Sequence, residues 1–106
     1  MKNSAKQMEE ILKQADAMLR EEYKLLAGYK PRERFDLFNE RLCGLHFGLM
    51  AAQNVVMEDV SIKEHREIGN KIVDLLRNLR ELSFKTYMKD RQEFEDSSSE
   101  VMQDEN

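Results

Sequence analysis

The chain has little of what builds sheets, disulfides or membrane spans. Its 106 residues include one proline, four glycines, one cysteine and no tryptophan. Because so few residues favour turns, the composition favours an all-α fold. A lone cysteine excludes an intramolecular disulfide. The longest uncharged run, residues 42–57, is shorter than the roughly 20 apolar residues of a spanning helix, so we predict no membrane span.

Length and charge limit the number of domains, the location and the partners. The length suits one domain, and the net charge is −4, with charged residues making up 36% of the chain. The first residues are too polar for a signal peptide, so we expect an intracellular protein, cytoplasmic or nuclear. The negative charge does not favour nucleic acid as the default partner.

Apolar residues recur every three or four positions along three segments, which predicts three amphipathic helices. Ser4 with Gln7, and Ser61 with Glu64, have the spacing of capping boxes at the first and third helix starts. A glycine and the only proline separate the first two helices. The predicted helices cover about residues 4–27, 31–58 and 61–95. Short connections predict an antiparallel up-down-up three-helix bundle, with a single long helical hairpin as the alternative.

The second predicted helix carries two apolar seams. The first seam, expected in the core, is Phe35, Phe38, Leu42, Leu45, Leu49, Ala52 and Val56. Residues three or four apart share a face, and a second seam lies about 100° around the helix from the first. Together with the adjacent glycines, the second seam comprises Cys43, Gly44, Phe47, Gly48, Met50, Asn54 and Met57. Each interior glycine costs about 0.8–1 kcal/mol relative to alanine, so the pair indicates a close approach of another helix.

Two interpretations of the second seam are open. Either the other two helices cover the second seam within the bundle, or part of the second seam binds a partner helix or a second copy of the chain. The second is favoured because the other helices have wide apolar stripes of their own, and methionine adapts to varied surfaces. We therefore predict a non-enzymatic helical protein–protein interaction module, such as an adaptor, chaperone-like or regulatory subunit. Its partner-binding residues would be the second seam, and it would assemble into a larger helical bundle.

Few residues have the spacing that catalysis or metal binding requires. Cys43 and His46 are three apart on a helix, and His65 is near the start of the third. A structural zinc site needs four ligands, and no second Cys/His pair completes one. A buried cysteine acting as a small hydrophobe is the favoured interpretation. We predict no metal, cofactor or catalytic residue.

Arg41 and His46 form a pattern of arginine, four residues and histidine. This pattern resembles the catalytic motif of the HEPN family of helical ribonucleases. The resemblance covers these two residues, and Leu42 follows the arginine where that family has a polar residue. It implies a small helical RNA-acting protein in which the pair acts on an RNA phosphate, and this is the alternative function.

Basic residues and the last segment complete the sequence-based predictions. The basic residues that could contact phosphates in a nucleic-acid-binding regulator are Lys30, Arg32, Arg34, Arg77, Arg80, Lys85, Lys89 and Arg91. Acidic residues interleave with them, which favours a solvated face with intrahelical ion pairs. Residues 96–106 are predicted to be a disordered acidic tail. Ser97, three residues before Glu100, is a candidate phosphorylation site, and a purely solubilising tail is favoured over it.

Overall fold

The chain folds into three α-helices that pack together. The computed structural model describes the backbone of residues 3–105 and the side chains of residues 3–93. The helices are α1 (Ser4–Leu25), α2 (Pro31–Val56) and α3 (Ile62–Glu105), with a short 3-10 turn over Leu26–Gly28. Residues 3–105 contain no strand, which confirms the all-α prediction. None of their helices has an apolar stretch long enough to cross a bilayer.

The helix starts follow local capping chemistry. The Asn3 side chain accepts a hydrogen bond from the Lys6 backbone N–H at 3.0 Å, so Asn3 caps α1 and Ser4 is already helical. The predicted cap at Ser4 is therefore wrong by one residue, because asparagine is also a preferred N-cap. The Ser61 hydroxyl accepts from the Glu64 N–H at 3.3 Å, which confirms the serine cap before α3.

Contacts at both ends show that α2 and α3 run in opposite directions. Near the start of α2, the Phe35 ring lies 4.9 Å from that of Tyr87. Near its end, the Gln53 amide donates to the His65 carbonyl at 2.8 Å. Helix α1 lies against both: Tyr23 contacts Phe38 of α2, with ring centroids 4.8 Å apart, and an ion pair joins α1 to Lys71 of α3.

The core lies between the three helices. Its buried hydrophobic residues are Met8, Leu12, Ala15, Leu19, Tyr23, Leu26, Phe38, Leu42, Leu49, Met57, Ile68, Ile72, Leu76 and Leu79. The first predicted seam of α2 contributes Phe38, Leu42 and Leu49, and its other members are partly buried. The core therefore fixes which side of α2 faces outward.

Two helix ends differ from the sequence-based boundaries. Helix α2 ends at Val56 rather than near Glu58, and α3 continues to Glu105 where a disordered tail was predicted from Asp96. The longer α3 has a simple cause, because no glycine or proline follows Gly69 to interrupt it. The Ser97 side chain lies outside the described side chains, so its modification stays a prediction.

Candidate interaction surface

The outward face of α2 exposes large apolar side chains to solvent. Phe47 is 78% exposed and Val55 is 76% exposed, and Met50 is about half exposed. Cys43, Gly44, Gly48 and Asn54 are also exposed. We call this set, together with Ala51, the α2 outer face. Six of the seven residues predicted for partner binding therefore lie together on one exposed side of one helix.

No charged residue interrupts the α2 outer face. The uncharged part of α2, from Leu42 to Val56, extends about 22 Å along the helix. A solvent-facing helix surface is normally charged or polar, and the exposed positions of α1 hold many lysines and glutamates. Contiguous exposed apolar side chains on a small protein mark sites that other molecules bind.

The two glycines leave the backbone of α2 uncovered. A Cβ atom added at Gly44 or at Gly48 would meet nothing within 4 Å. Packing within the chain therefore does not require glycine at either position. Both glycines still lower the stability of the helix, since glycine has low helix propensity.

Met57 does not belong to the exposed surface, and its prediction as a partner-binding residue is wrong. Its side chain is fully buried, at 0% exposed, and it packs in the core. Helix α2 ends at Val56, and Met57 has φ −109° and ψ 24°, so the helical periodicity no longer sets its direction. Its carbonyl oxygen also accepts a hydrogen bond from the His65 ring.

Sequence reasoning missed two residues of the α2 outer face, Ala51 and Val55. Both are exposed, and both follow Phe47 at intervals of four. The same periodicity that identified Phe47 could have found them. They extend the apolar surface toward the end of α2, where Met57 was expected.

The cysteine and the histidines form no metal site within the described residues. Cys43 is an exposed free thiol, so the expectation of a buried cysteine is wrong. His65 bridges α2 and α3, because its ring contacts both the Met57 carbonyl and the Gln53 amide. His46 is half-buried, and its ring lies 6.5 Å from that of Phe47.

Arg41 and His46 do not converge on a common point. Five residues apart on one helix, they lie about 140° apart around its axis. The Arg41 guanidinium forms an ion pair with Glu22 of α1, which holds it toward the α1 side of α2.

Two arginines of the predicted basic cluster serve contacts within the fold. Arg34 donates to the Tyr23 carbonyl at 2.8 Å, and its guanidinium lies 3.8 Å from the centre of the Tyr23 ring. A hydrogen bond to Tyr87 and, to a smaller extent, one to Asp36 raise the pKa of Arg32 above its ordinary value. Both side chains therefore have partners inside the chain near the start of α2.

Comparison with known protein families, curated proteins and solved structures finds no match to this chain.

Proposed function

We propose that this chain is a non-enzymatic helical protein–protein interaction module. Its α2 outer face binds either a helix of a partner protein or a second copy. The observation that carries the proposal is the exposure of Phe47, at 78%, at the middle of a helix face without charge. The adaptor, chaperone-like and regulatory-subunit roles predicted from the sequence all require such a surface.

Burial of the α2 outer face supplies the free energy for association. Phe47, Met50 and Val55 are exposed in the single chain. Full burial of a side chain of this size contributes about 1.5–3 kcal/mol. The same side chains would contribute little to the fold, because they lie outside the core.

The uncovered backbone at Gly44 and Gly48 explains how a partner helix could approach. With no side chain at either position, the axis of a second helix can come closer to α2 than usual. Met50 lies at the other edge of the α2 outer face, and its unbranched side chain adapts to varied surfaces. A helix bound here would extend the three-helix unit, residues 1–95, into a larger helical bundle inside the cell.

A pair of matched double variants tests the proposal. Phe47→Glu with Met50→Glu places two charges on the α2 outer face. The control, Met18→Glu with Leu25→Glu, makes the same change at two exposed apolar residues of α1. Circular dichroism should show unchanged helicity for both, because all four side chains are exposed. Self-association by sedimentation velocity, and co-purifying proteins from the native cells, should then be compared.

The α2 variant should lose its partner, with an affinity lower by about a hundredfold or more, because buried aromatic anchors dominate interfaces. The α1 control should keep it. Equal behaviour of the two variants would reject the α2 outer face as the binding surface. Loss of helicity in the α2 variant alone would show that Phe47 and Met50 belong to the intramolecular core.

A further inference from the structure

A second exposed surface lies on α3 and combines arginines with apolar side chains. Its residues are Ile62, Arg66, Val73, Arg77, Arg80 and Phe84, all exposed. Their spacing of three, four and seven places them on one side of the helix. We call this set the arginine stripe. Four of its residues, with Glu81, line a shallow depression of about 450 Å³.

The arginines of the stripe are largely available to another molecule. Among the described residues, Arg66 and Arg80 form no ion pair, and Arg77 has a long contact of 3.4 Å to Asp74 one turn away. Guanidinium groups bind carboxylates with paired hydrogen bonds, and their stems pack on apolar surface. The stripe therefore fits a segment that offers carboxylates and apolar residues together.

The chain itself contains such a segment. Residues 93–106 hold six of its 21 acidic residues and none of its 17 basic ones. Three apolar residues, Phe94, Val101 and Met102, are interspersed among them. Without this segment, the rest of the chain has more basic than acidic residues, so the two parts are complementary in charge.

This acidic segment projects beyond the other two helices. Arg34, one turn into α2, pairs with Asp90 at 3.8 Å. Because α2 begins at Pro31, α3 beyond about residue 93 has neither α1 nor α2 beside it, yet it continues as helix to Glu105. An isolated helix of about twelve residues, roughly 18 Å long, is marginal in water without packing. A straight helix also prevents the segment from reaching the stripe of its own copy.

We propose that two copies associate through antiparallel α3 helices, with residues 93–105 of each copy on the arginine stripe of the other. A pairing centred near Met88 sets about residues 93–103 of one copy against residues 83–73 of its partner. Met88, which is about half exposed, then meets its own counterpart at the centre. The contact is isologous, so each copy contributes both a stripe and an acidic segment.

Charge reversal in the full-length chain tests this pairing. One variant is Arg77→Glu with Arg80→Glu, and a second is Glu95→Lys with Glu105→Lys, two positions that helical periodicity places on the side of α3 that carries the stripe. A third variant combines all four changes. The control is Lys13→Glu with Lys24→Glu, which reverses two exposed charges on α1. Molar mass is measured by light scattering after size-exclusion chromatography, and the dimer dissociation constant by sedimentation equilibrium.

The wild type and the α1 control should be dimers. Each two-residue reversal on α3 should raise the dissociation constant about tenfold or more, and the combined variant should restore the dimer because the complementary charges are exchanged. A monomeric wild type across the concentration series would overturn the proposal. So would a dimer that neither reversal weakens, or a combined variant that stays as weak as its parents.

The same measurement separates this pairing from the proposed function. Phe47→Glu with Met50→Glu changes only α2, so it should leave the α3 dimer intact. If that variant alone dissociates the dimer, the copies meet through the α2 outer face and the α3 pairing is wrong. If the α3 dimer forms and the α2 variant loses no partner, the proposed function fails while this inference stands.

Discussion

Ser83 is a buried polar residue that lowers the stability of the fold. Its side chain is fully buried, and among the described residues its hydroxyl has no hydrogen-bond partner. Leaving a buried polar group unsatisfied costs about 1–3 kcal/mol. Helical periodicity alone places residue 83 on the core side of α3. The pattern of apolar residues in the sequence did not identify this residue, because serine is not counted as apolar.

Ser83→Ala should therefore stabilise the chain by about 1 kcal/mol, since it removes the unpaired hydroxyl and raises helix propensity. Ser61→Ala is the matched control with the opposite expected sign. It removes the cap of α3 and should cost about 0.5–2 kcal/mol. Urea denaturation measures both. A loss of stability in Ser83→Ala would mean that the hydroxyl has a partner in solution.

Single residues also show what helical periodicity can predict and what it cannot. Periodicity correctly predicted that Phe47 and Met50 share a face away from Phe38 and Leu42. It was wrong for Met57 because the pattern holds only while the helix lasts, and α2 ends at Val56. It was wrong about burial of Cys43, because the pattern gives a residue's direction around the helix but not which directions are covered.

Between elements, the turn from α2 to α3 is held by a small polar network. Gln53 of α2 donates to the His65 carbonyl at 2.8 Å and contacts the His65 ring at 3.1 Å. The same ring bonds the carbonyl of Met57 in the turn. Both side chains are half-buried, so these bonds are partly shielded from water.

Gln53→Ala should lower the free energy of unfolding by about 1–2 kcal/mol, because it leaves His65 without its amide partner. Asn54→Ala, one residue along and exposed, is the control and should leave stability unchanged or slightly higher. Thermal unfolding followed by circular dichroism compares the two. Equal stability of both variants would show that the network contributes nothing to the turn.

The glycines of α2 give a prediction in which stability and association change in opposite directions. Gly44→Ala and Gly48→Ala should each stabilise the single chain by about 0.5–1 kcal/mol, since the added methyl group meets nothing. Each should also weaken association through the α2 outer face, because the methyl group separates the two backbones. Gly69→Ala on α3 should stabilise similarly and leave that association unchanged. Tighter association in the α2 variants would show that no close approach occurs there.

At the scale of the whole molecule, the packing of three helices was predictable and the exposure of the second seam was not. The turn residues and the apolar period define three helices in the sequence. Which seam of α2 remains outside depends on the lateral positions of α1 and α3. Those positions are fixed by contacts such as Tyr23 with Phe38 and Phe35 with Tyr87. The length of α3 was also missed, because its acidic end lacks a strong apolar period.

Photo-crosslinking from position 47 tests whether the α2 outer face is a protein-binding surface. A photoreactive phenylalanine analogue replaces Phe47 in one chain and Met18 of α1 in a control, both exposed positions. On irradiation in the native cells, we predict one discrete adduct from position 47, absent from position 18 and abolished by Met50→Glu. No adduct from position 47, or the same adducts from both positions, would show that the α2 outer face is not a specific protein-binding surface.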